Sequence, residues 1–331
     1  MSKNALPPQL TQIAADIFQV CLPLPFALNH VNCYLLRGDT GWTVFDTGLN
    51  TPAGREGWQA AFAALEIGPG DIEQIILTHV HPDHYGMAGW LQEWCGAPVW
   101  MSPREAELEE LVWKRNDLVG AMLRMFGQAG VPAEAKEKMI GATGKTRQLT
   151  LPHPHTVKLL QPGTTLTIGQ RQLTALHAPG HSDGQLIFYD SADKLMLSGD
   201  QVLIKITPNI GLWPMTDPDP LGRYLASLRE LMAFDVRVAL PGHGPLINDW
   251  RGRLVEIQQH HAERLETMMA SINGSGLTPY QVSAYAFNLD RLSPHEVRFA
   301  IAETLAHLEY LVQQQHLHRS ENGVLRYYLL G

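Results

Sequence analysis

Between Thr78 and His84 the chain reads Thr-His-Val-His-Pro-Asp-His, so three imidazoles and a carboxylate fall within a few residues of one another. Groups this close repel or compete for protons unless a cation sits among them. Imidazole suits zinc and similar ions, and carboxylate joins it in mixed sites. The run just before, Ile75-Ile76-Leu77, is short and apolar, so it reads as a buried strand. His79 then stands at the C-terminal end of that strand, where α/β sheets place their chemistry. One run does not make a site, and further ligands must come from elsewhere among the 15 histidines.

Two histidines share a local setting. Ala178-Pro179-Gly180-His181 follows the apolar segment Leu173 to Leu176, and Leu240-Pro241-Gly242-His243-Gly244 follows Val236 to Leu240. Each turns at Pro-Gly and presents a histidine. A third run, Leu195-Met196-Leu197-Ser198-Gly199-Asp200, stops at a carboxylate. Singly, these are ordinary turn chemistry. Together with the first run they deliver histidine or aspartate at four strand ends.

In this order (HxHxDH, then a single His, a single Asp and a single His) the residues resemble the metallo-β-lactamase superfamily of binuclear metal hydrolases, over roughly residues 15 to 248. The resemblance implies an α+β fold, a four-layer αββα sandwich. It implies that His79, His81 and His181 hold one divalent ion, that Asp83, His84 and His243 hold a second, and that Asp200 bridges them. Zinc is the first expectation for both ions, with iron or manganese as alternatives. Asp46, in Thr43-Val44-Phe45-Asp46-Thr47-Gly48, matches an early aspartate that in the family buttresses the metal loops. The chemistry of the residues agrees. Three histidines leave one position open on a tetrahedral ion, and two cations sharing a water lower its pKa from about 15.7 toward about 7, giving a hydroxide nucleophile. Asp83 is assigned the catalytic task of orienting that hydroxide. The resemblance also narrows the subclass. β-Lactamases of the superfamily commonly carry Cys or Ser where this chain has Asp200, and the flavin-linked di-iron branch carries glutamate where it has His81. Branches acting on thioesters, lactones and phosphodiesters keep the aspartate.

Composition adds bounds. The chain has 331 residues, enough for a substantial core, with 45% hydrophobic and 18% charged residues. Its apolar segments are too interrupted to span a membrane, and Lys3 is followed by polar and proline residues, unlike a signal peptide. Cys21, Cys33 and Cys95 are odd in number and scattered, which points to free thiols and a cytoplasmic location. A formal net charge of −8 argues against general affinity for nucleic acid.

Strands are expected at Ile17 to Leu22, Val31 to Leu36 and Thr43 to Phe45, with a hairpin turn at residues 38 to 41. A helix is expected over 55 to 66, with Trp58, Phe62 and Leu65 on one side, and another from Met87 to Trp94. Residues 103 to 147 form a helical insert. Ser102-Pro103-Arg104-Glu105 reads as a capping-box start of a helix running to Phe126, and a second helix begins at Pro132. Its apolar residues (Leu108, Leu111, Val112, Leu118, Met122, Met125 and Phe126) either pack on the core or another subunit, or form a lid over the site.

The domain reading is a catalytic unit over 1–248 and a winged-helix-like unit over 249–331. The second comprises a helix from Asp249 to about Ile272 ending at Asn273-Gly274, a helix near Pro279, and a capped helix from Ser293. The last carries Val297, Ile301, Leu305, Leu308 and Leu311 on one face, and a hairpin over 317–329 follows. Such a module trails the metal domain in a branch with members that cleave single-stranded RNA. Residues 251 to 331 hold seven arginines, no lysine and eight acidic residues. That balance disfavours phosphate binding, so a structural or homodimerisation role is expected, with nucleic acid the less favoured partner.

Other histidines are read as bystanders: His153 and His155 on a loop, His177 in a strand, and His260, His261, His316 and His318 at exposed positions. Asn209 and Trp213, close after Asp200, and Tyr224 are the substrate-binding candidates. The expected function is a binuclear metal-dependent hydrolase acting on an ester or thioester of a small acid. The alternatives are a phosphodiesterase or endoribonuclease, a mono-iron sulfur dioxygenase, and a non-catalytic metal-binding protein.

Overall fold

A computed structural model describes residues 9–25, 28–115, 117–272 and 275–330, without the side chains of 142 and 143. The expectations resting on Lys3 and on Asn273-Gly274 lie outside the described residues.

Seven strands form one sheet in chain order: β1 (Leu10–Ala14), β2 (Ile17–Pro23), β3 (His30–Arg37), β4 (Trp42–Phe45), β5 (Ile72–Ile76), β6 (Val99–Met101) and β7 (Val157–Leu159). Its first four strands pair antiparallel and β4 to β7 run parallel. Gly38 N donates to Gly41 O at 2.7 Å, closing the expected turn between β3 and β4. The second sheet has the order β12-β11-β10-β9-β8, from β8 (Thr165–Ile168), β9 (Arg171–His177), β10 (Leu186–Asp190), β11 (Leu195–Gly199) and β12 (Val238–Pro241).

Side chains alternate across each strand, and here both faces are covered. From the first sheet, Tyr34, Leu36, Phe45 and Ile76 point inward, meeting Leu173, Leu186, Phe188, Leu197 and Leu240 of the second. Phe45 and Phe188 meet edge-on, 4.9 Å between centroids, a favoured aromatic geometry. The opposite face of the first sheet (Val31, Cys33, Leu35, Val44, Ile75) packs on helices α1 (Pro52–Ala64) and α3 (Ala88–Cys95) through Trp58, Phe62 and Leu91. The outer face of the second (Ile187, Met196, Ala239) is covered by Leu221, Tyr224, Leu228, Trp250 and Leu254. Two buried sheets between two helical layers are the expected αββα sandwich.

α1 begins earlier than the expected residue 55, because Thr51 caps it by accepting from Gly54 N at 3.0 Å and Pro52 occupies the first turn. A one-turn helix, α2 (Pro82–Tyr85), lies inside the metal-ligand run. The insert is three helices instead of two. α4 (Pro103–Leu108) passes into a π-helical stretch over Glu109–Lys114, and α5 (Leu118–Gln128) and α6 (Ala133–Gln148) follow. Ser102 caps α4 by accepting from Glu105 N, but the Glu105 carboxylate does not return to the cap. It turns into the core instead.

The second helical layer is built by α7 (Pro220–Leu231) and α8 (Trp250–Ser271); α9 (Pro279–Phe287) and α10 (Pro294–Gln313) follow. A hairpin of β13 (Leu317–Glu321) and β14 (Leu325–Leu329) closes the chain. Thr278 and Ser293 complete reciprocal capping boxes with Gln281 and Glu296. Leu118, Met122, Phe126 and Met139 of the insert bury against Ile301 and Leu305 of α10. The insert's apolar surface is therefore divided: Leu108 and Trp113 pack on the core of the first sheet, and the later helices pack on the C-terminal ones. Among the described residues, no helix is long and apolar enough to cross a membrane.

Candidate metal centre

The ends of β5, β9, β11 and β12 converge along one edge of the sandwich. Among the described residues, ligand atoms gather in three groups: His79, His81 and His181; His79, His84 and Asp200; and Asp83, His84 and His243. Atoms within each group lie within 4.8 Å of one another. His79 and His84 belong to two groups each, so all seven residues surround one small volume. His81 Nδ1 lies 2.8 Å from His181 Nε2. Asp200 faces His84 Nε2 at 3.3 Å, His243 Nε2 at 3.3 Å and His181 Nε2 at 3.6 Å, and Asp83 lies 3.2 Å from His243 Nε2.

Four of the imidazoles have their outer nitrogen occupied. Asp46 accepts from Thr78 N at 2.8 Å and from Thr78 Oγ1, and its Oδ2 faces His84 Nδ1 at 2.8 Å. The single Thr78 hydroxyl proton goes to Asp46, leaving its oxygen to accept from His79 Nδ1 at 2.8 Å. His181 Nδ1 donates to the Asn209 carbonyl at 3.0 Å, and His243 Nδ1 to the His30 carbonyl at 2.7 Å. Each partner occupies Nδ1 and turns Nε2 inward, the usual outer support of a metal-ligating histidine. The inward atoms His79 Nε2, His84 Nε2, His243 Nε2 and Asp200 Oδ1 are buried without a hydrogen-bond partner. Orphaned buried polar atoms cost about 1–3 kcal/mol each, and four converging on one point fit a cation.

Electrostatics agree. Burial, then the neighbouring His84 and His81, holds His79 well below the usual imidazole range, and burial with His181 pushes His81 down to about 3. Burial acts the same way on His243, but Asp200 and Asp83 outweigh it and raise the imidazole to about 10. Burial likewise opposes ionisation of Asp200, and His243 and His84 overcome it, keeping the carboxyl well below its usual range. Imidazoles held neutral by burial and a carboxylate kept ionised beside them suit a site built around positive charge.

Local sequence explains the geometry. A side chain at Gly242 would bring its Cβ to 2.3 Å from Asp200 Oδ1, so only glycine lets this turn pass. Gly180 has φ +126°, and a Cβ there would meet Tyr224. Asn32 Nδ2 donates to the carbonyls of Pro241 and Gly244, and Tyr34 Oη to that of Pro241, anchoring the His243 turn to β3.

Sequence reading missed Glu105. Its fully buried carboxylate accepts from Val80 N at 2.8 Å, Ser182 Oγ at 2.6 Å and Gly184 N at 2.8 Å. Trp113 Nε1 in turn donates to Val80 O at 2.8 Å. The insert thus holds both backbone polar groups of the residue between His79 and His81, and through Glu105 ties that loop to the one carrying His181. An acid in a helix's first turn is the only sequence signal for this, and it reads as a cap. The supports Thr78 and Asn32 gave no signal of their own.

The substrate-binding candidates fare differently. Tyr224 is fully buried under the His181 loop, and its hydroxyl donates to Gln201 O at 2.9 Å. Asn209 commits its side chain to α10, donating to Glu303 Oε2 at 2.9 Å. Trp213 meets Phe299 edge-on at 5.6 Å and lines a cavity of about 340 Å³ with Met125, Leu305 and Leu325, between the insert and the C-terminal helices. His261, expected at the surface, is buried and pairs with His307 at 3.1 Å, because α8 turns this face toward α10. His153 is half-buried, 3.0 Å from Tyr85 Oη, while His155, His177, His316 and His318 are exposed.

The model of the metallo-beta-lactamase superfamily matches residues 27–243, and that of the metallo-beta-lactamase-like C-terminal domain matches residues 265–330. A Bacillus subtilis (strain 168) protein named probable metallo-hydrolase YqjP is 26% identical over 315 residues, 91% of this chain and 93% of its own. The Gallus gallus acyl-coenzyme A thioesterase MBLAC2 is 30% identical over 226 residues, 65% of this chain and 73% of its own. The crystal structure of the metallo-beta-lactamase family protein TTHA1429 from Thermus thermophilus superposes with a TM-score of 0.87 at 34% identity, covering 96% of this chain and 100% of that one.

Proposed function

This chain belongs to the metallo-β-lactamase superfamily and is a metal-dependent hydrolase, and from that premise we propose that it is a binuclear thioesterase acting on a thioester of a small acid. His79, His81 and His181 would hold one divalent cation, Asp83, His84 and His243 the second, and Asp200 would stand between them. Zinc is the first choice for imidazole-rich sites of this kind. Two such cations acidify a water toward neutral pH and draw charge from a scissile carbonyl.

The residues supply the rest. The partners on Nδ1 of His79, His84, His181 and His243 hold the inward lone pairs in place before any ligand arrives, so little reorganisation is needed. Asp83, turned toward His243 with one oxygen, has a second with which to orient the attacking water. A thiolate leaves with a pKa of about 8.5 and needs no proton donor, which suits a site whose carboxylates both face imidazoles. We assign catalysis to residues 1–248 and read residues 249–331 as a winged-helix-like unit that packs on the insert. The observation that carries the proposal is the convergence of seven ligands with buried, unpartnered inward atoms. An aspartate at position 200 and the thioesterase relative favour thioesters over β-lactams.

A panel of zinc-loaded assays tests this reading. Short acyl-coenzyme A and acyl-glutathione thioesters should be cleaved with kcat/KM at least a hundredfold above that for a lactone, a phosphodiester, single-stranded RNA or a β-lactam. Faster turnover of RNA or of the phosphodiester would replace the thioester assignment.

A further inference from the structure

We propose that Glu303, on α10 of the C-terminal unit, is a positioning residue for His181 and acts through Asn209. The inference rests on the reading of His181 as a metal ligand. His181 Nδ1 donates to the Asn209 carbonyl at 3.0 Å, which keeps the proton on Nδ1 and leaves Nε2 facing His81 and Asp200. That carbonyl is useful only if it is held still, and it lies on residues 203 to 216, which form no helix or strand.

What holds the segment is α10. Asn209 Nδ2 donates to Glu303 Oε2 at 2.9 Å and to Phe299 O at 3.3 Å, and Leu212 N donates to Ala302 O at 3.0 Å. Gly211 lies so close to the helix that a Cβ would come within 3.0 Å of Ala302 Cβ. Three hydrogen bonds along one turn of α10 therefore splint the irregular segment; two start from Asn209 Nδ2, and the shorter of these ends on the Glu303 carboxylate. Glu303 is itself half-buried, where a carboxylate is less costly when it has a partner. The bond to Asn209 gives it one. A helix residue 94 positions beyond Asn209 in the chain thus fixes the tautomer and aim of a metal ligand, which gives the C-terminal unit a task that needs no nucleic acid.

The test compares zinc affinities, measured by competition with a chromophoric chelator, for Glu303→Ala, Glu303→Gln and His181→Ala. Circular dichroism and thermal melts of the metal-free proteins establish that each is folded. Loss of outer support weakens a metal site by about 10- to 100-fold, so Glu303→Ala should weaken one of two zinc ions by that factor and spare the other. Glu303→Gln keeps a carbonyl oxygen for Asn209 and should return to within about threefold of wild type. Two undisturbed ions in Glu303→Ala, or a Gln variant as impaired as the Ala variant, would overturn the inference. His181→Ala separates the two claims. If it loses an ion while Glu303→Ala does not, only the positioning role fails; if it keeps both, the metal assignment itself is wrong.

Discussion

Removing the Glu105 carboxylate should damage the metal centre from a residue that touches none of its ligands. Glu105→Ala leaves two backbone amides, Val80 N and Gly184 N, and the Ser182 hydroxyl without their acceptor in a buried setting. A stranded buried donor costs about 1–3 kcal/mol. The hydroxyl can rotate to another acceptor and the amides cannot, so the loss is set by the two amides and the cavity beside them, about 3–5 kcal/mol. For a chain of 331 residues, an unfolding entropy of about 2.1 cal/mol/K per residue converts this to a fall in Tm of roughly 4–7 °C. Glu105→Gln keeps one oxygen for Ser182 and Gly184 but sets an NH2 against Val80 N, so it should lose about 1–3 kcal/mol. Because Glu105 joins the His79–His84 loop to the His181 loop, the Ala variant should also lose part of the Tm increase that zinc gives wild type. Calorimetry with and without zinc reads both quantities. A Glu105→Ala protein within 1 °C of wild type in both states would refute the idea that this carboxylate organises the site.

Three shorter predictions follow from the same contacts. Tyr224→Phe removes a buried hydrogen bond to Gln201 O and should cost about 1–2 kcal/mol of stability with KM unchanged; a KM raised fivefold or more would mark Tyr224 as a substrate contact. Gly242→Ala places a methyl 2.3 Å from Asp200 Oδ1 and should cut thioester hydrolysis by at least tenfold, and wild-type kcat would show that the turn has room. Burial and His307 push the His261 imidazole down to about 2, and burial pushes His307 to about 4, against about 6.5 in an unfolded chain. The unfolded chain therefore takes up protons first, so stability from this neutral pair is complete above about pH 6.5 and is lost as pH falls, down to about 4 for His307 and about 2 for His261. His261→Phe should flatten the decline in unfolding free energy of the metal-free protein between pH 7 and 5, and an unchanged slope would contradict it.

Much of the site was legible because its ligands sit where local patterns end. A histidine or aspartate closing an apolar run needs only a strand to predict its place, and His79, His181, Asp200 and His243 follow that rule. The resemblance then supplied the order in which those ends meet. What escaped was long-range and polar. Glu105 looked like a capping acid because its true partners, Val80 and Gly184, lie 25 and 79 residues away in the chain. Tyr224 and His261 are amphipathic side chains on helices, and helical spacing alone does not say which face another helix will cover. The π-helical stretch at Glu109–Lys114 broke an otherwise regular pattern, and it is the stretch that delivers Trp113 to the metal loop. Asn209 was singled out for its nearness to Asp200, but its carbonyl faces His181 and its side chain faces α10.

The central claim, that seven side chains form one two-cation hydrolytic centre around Asp200, is tested most directly by a zinc titration. Metal-free wild type and Asp200→Ala would be titrated by calorimetry, with thioester hydrolysis followed in parallel. Wild type should bind two equivalents, with activity rising as the second is filled. Asp200→Ala should bind both ions more weakly and lose hydrolysis with them. Two ions held at wild-type affinity by Asp200→Ala, or full hydrolysis by the metal-free protein, would contradict the claim.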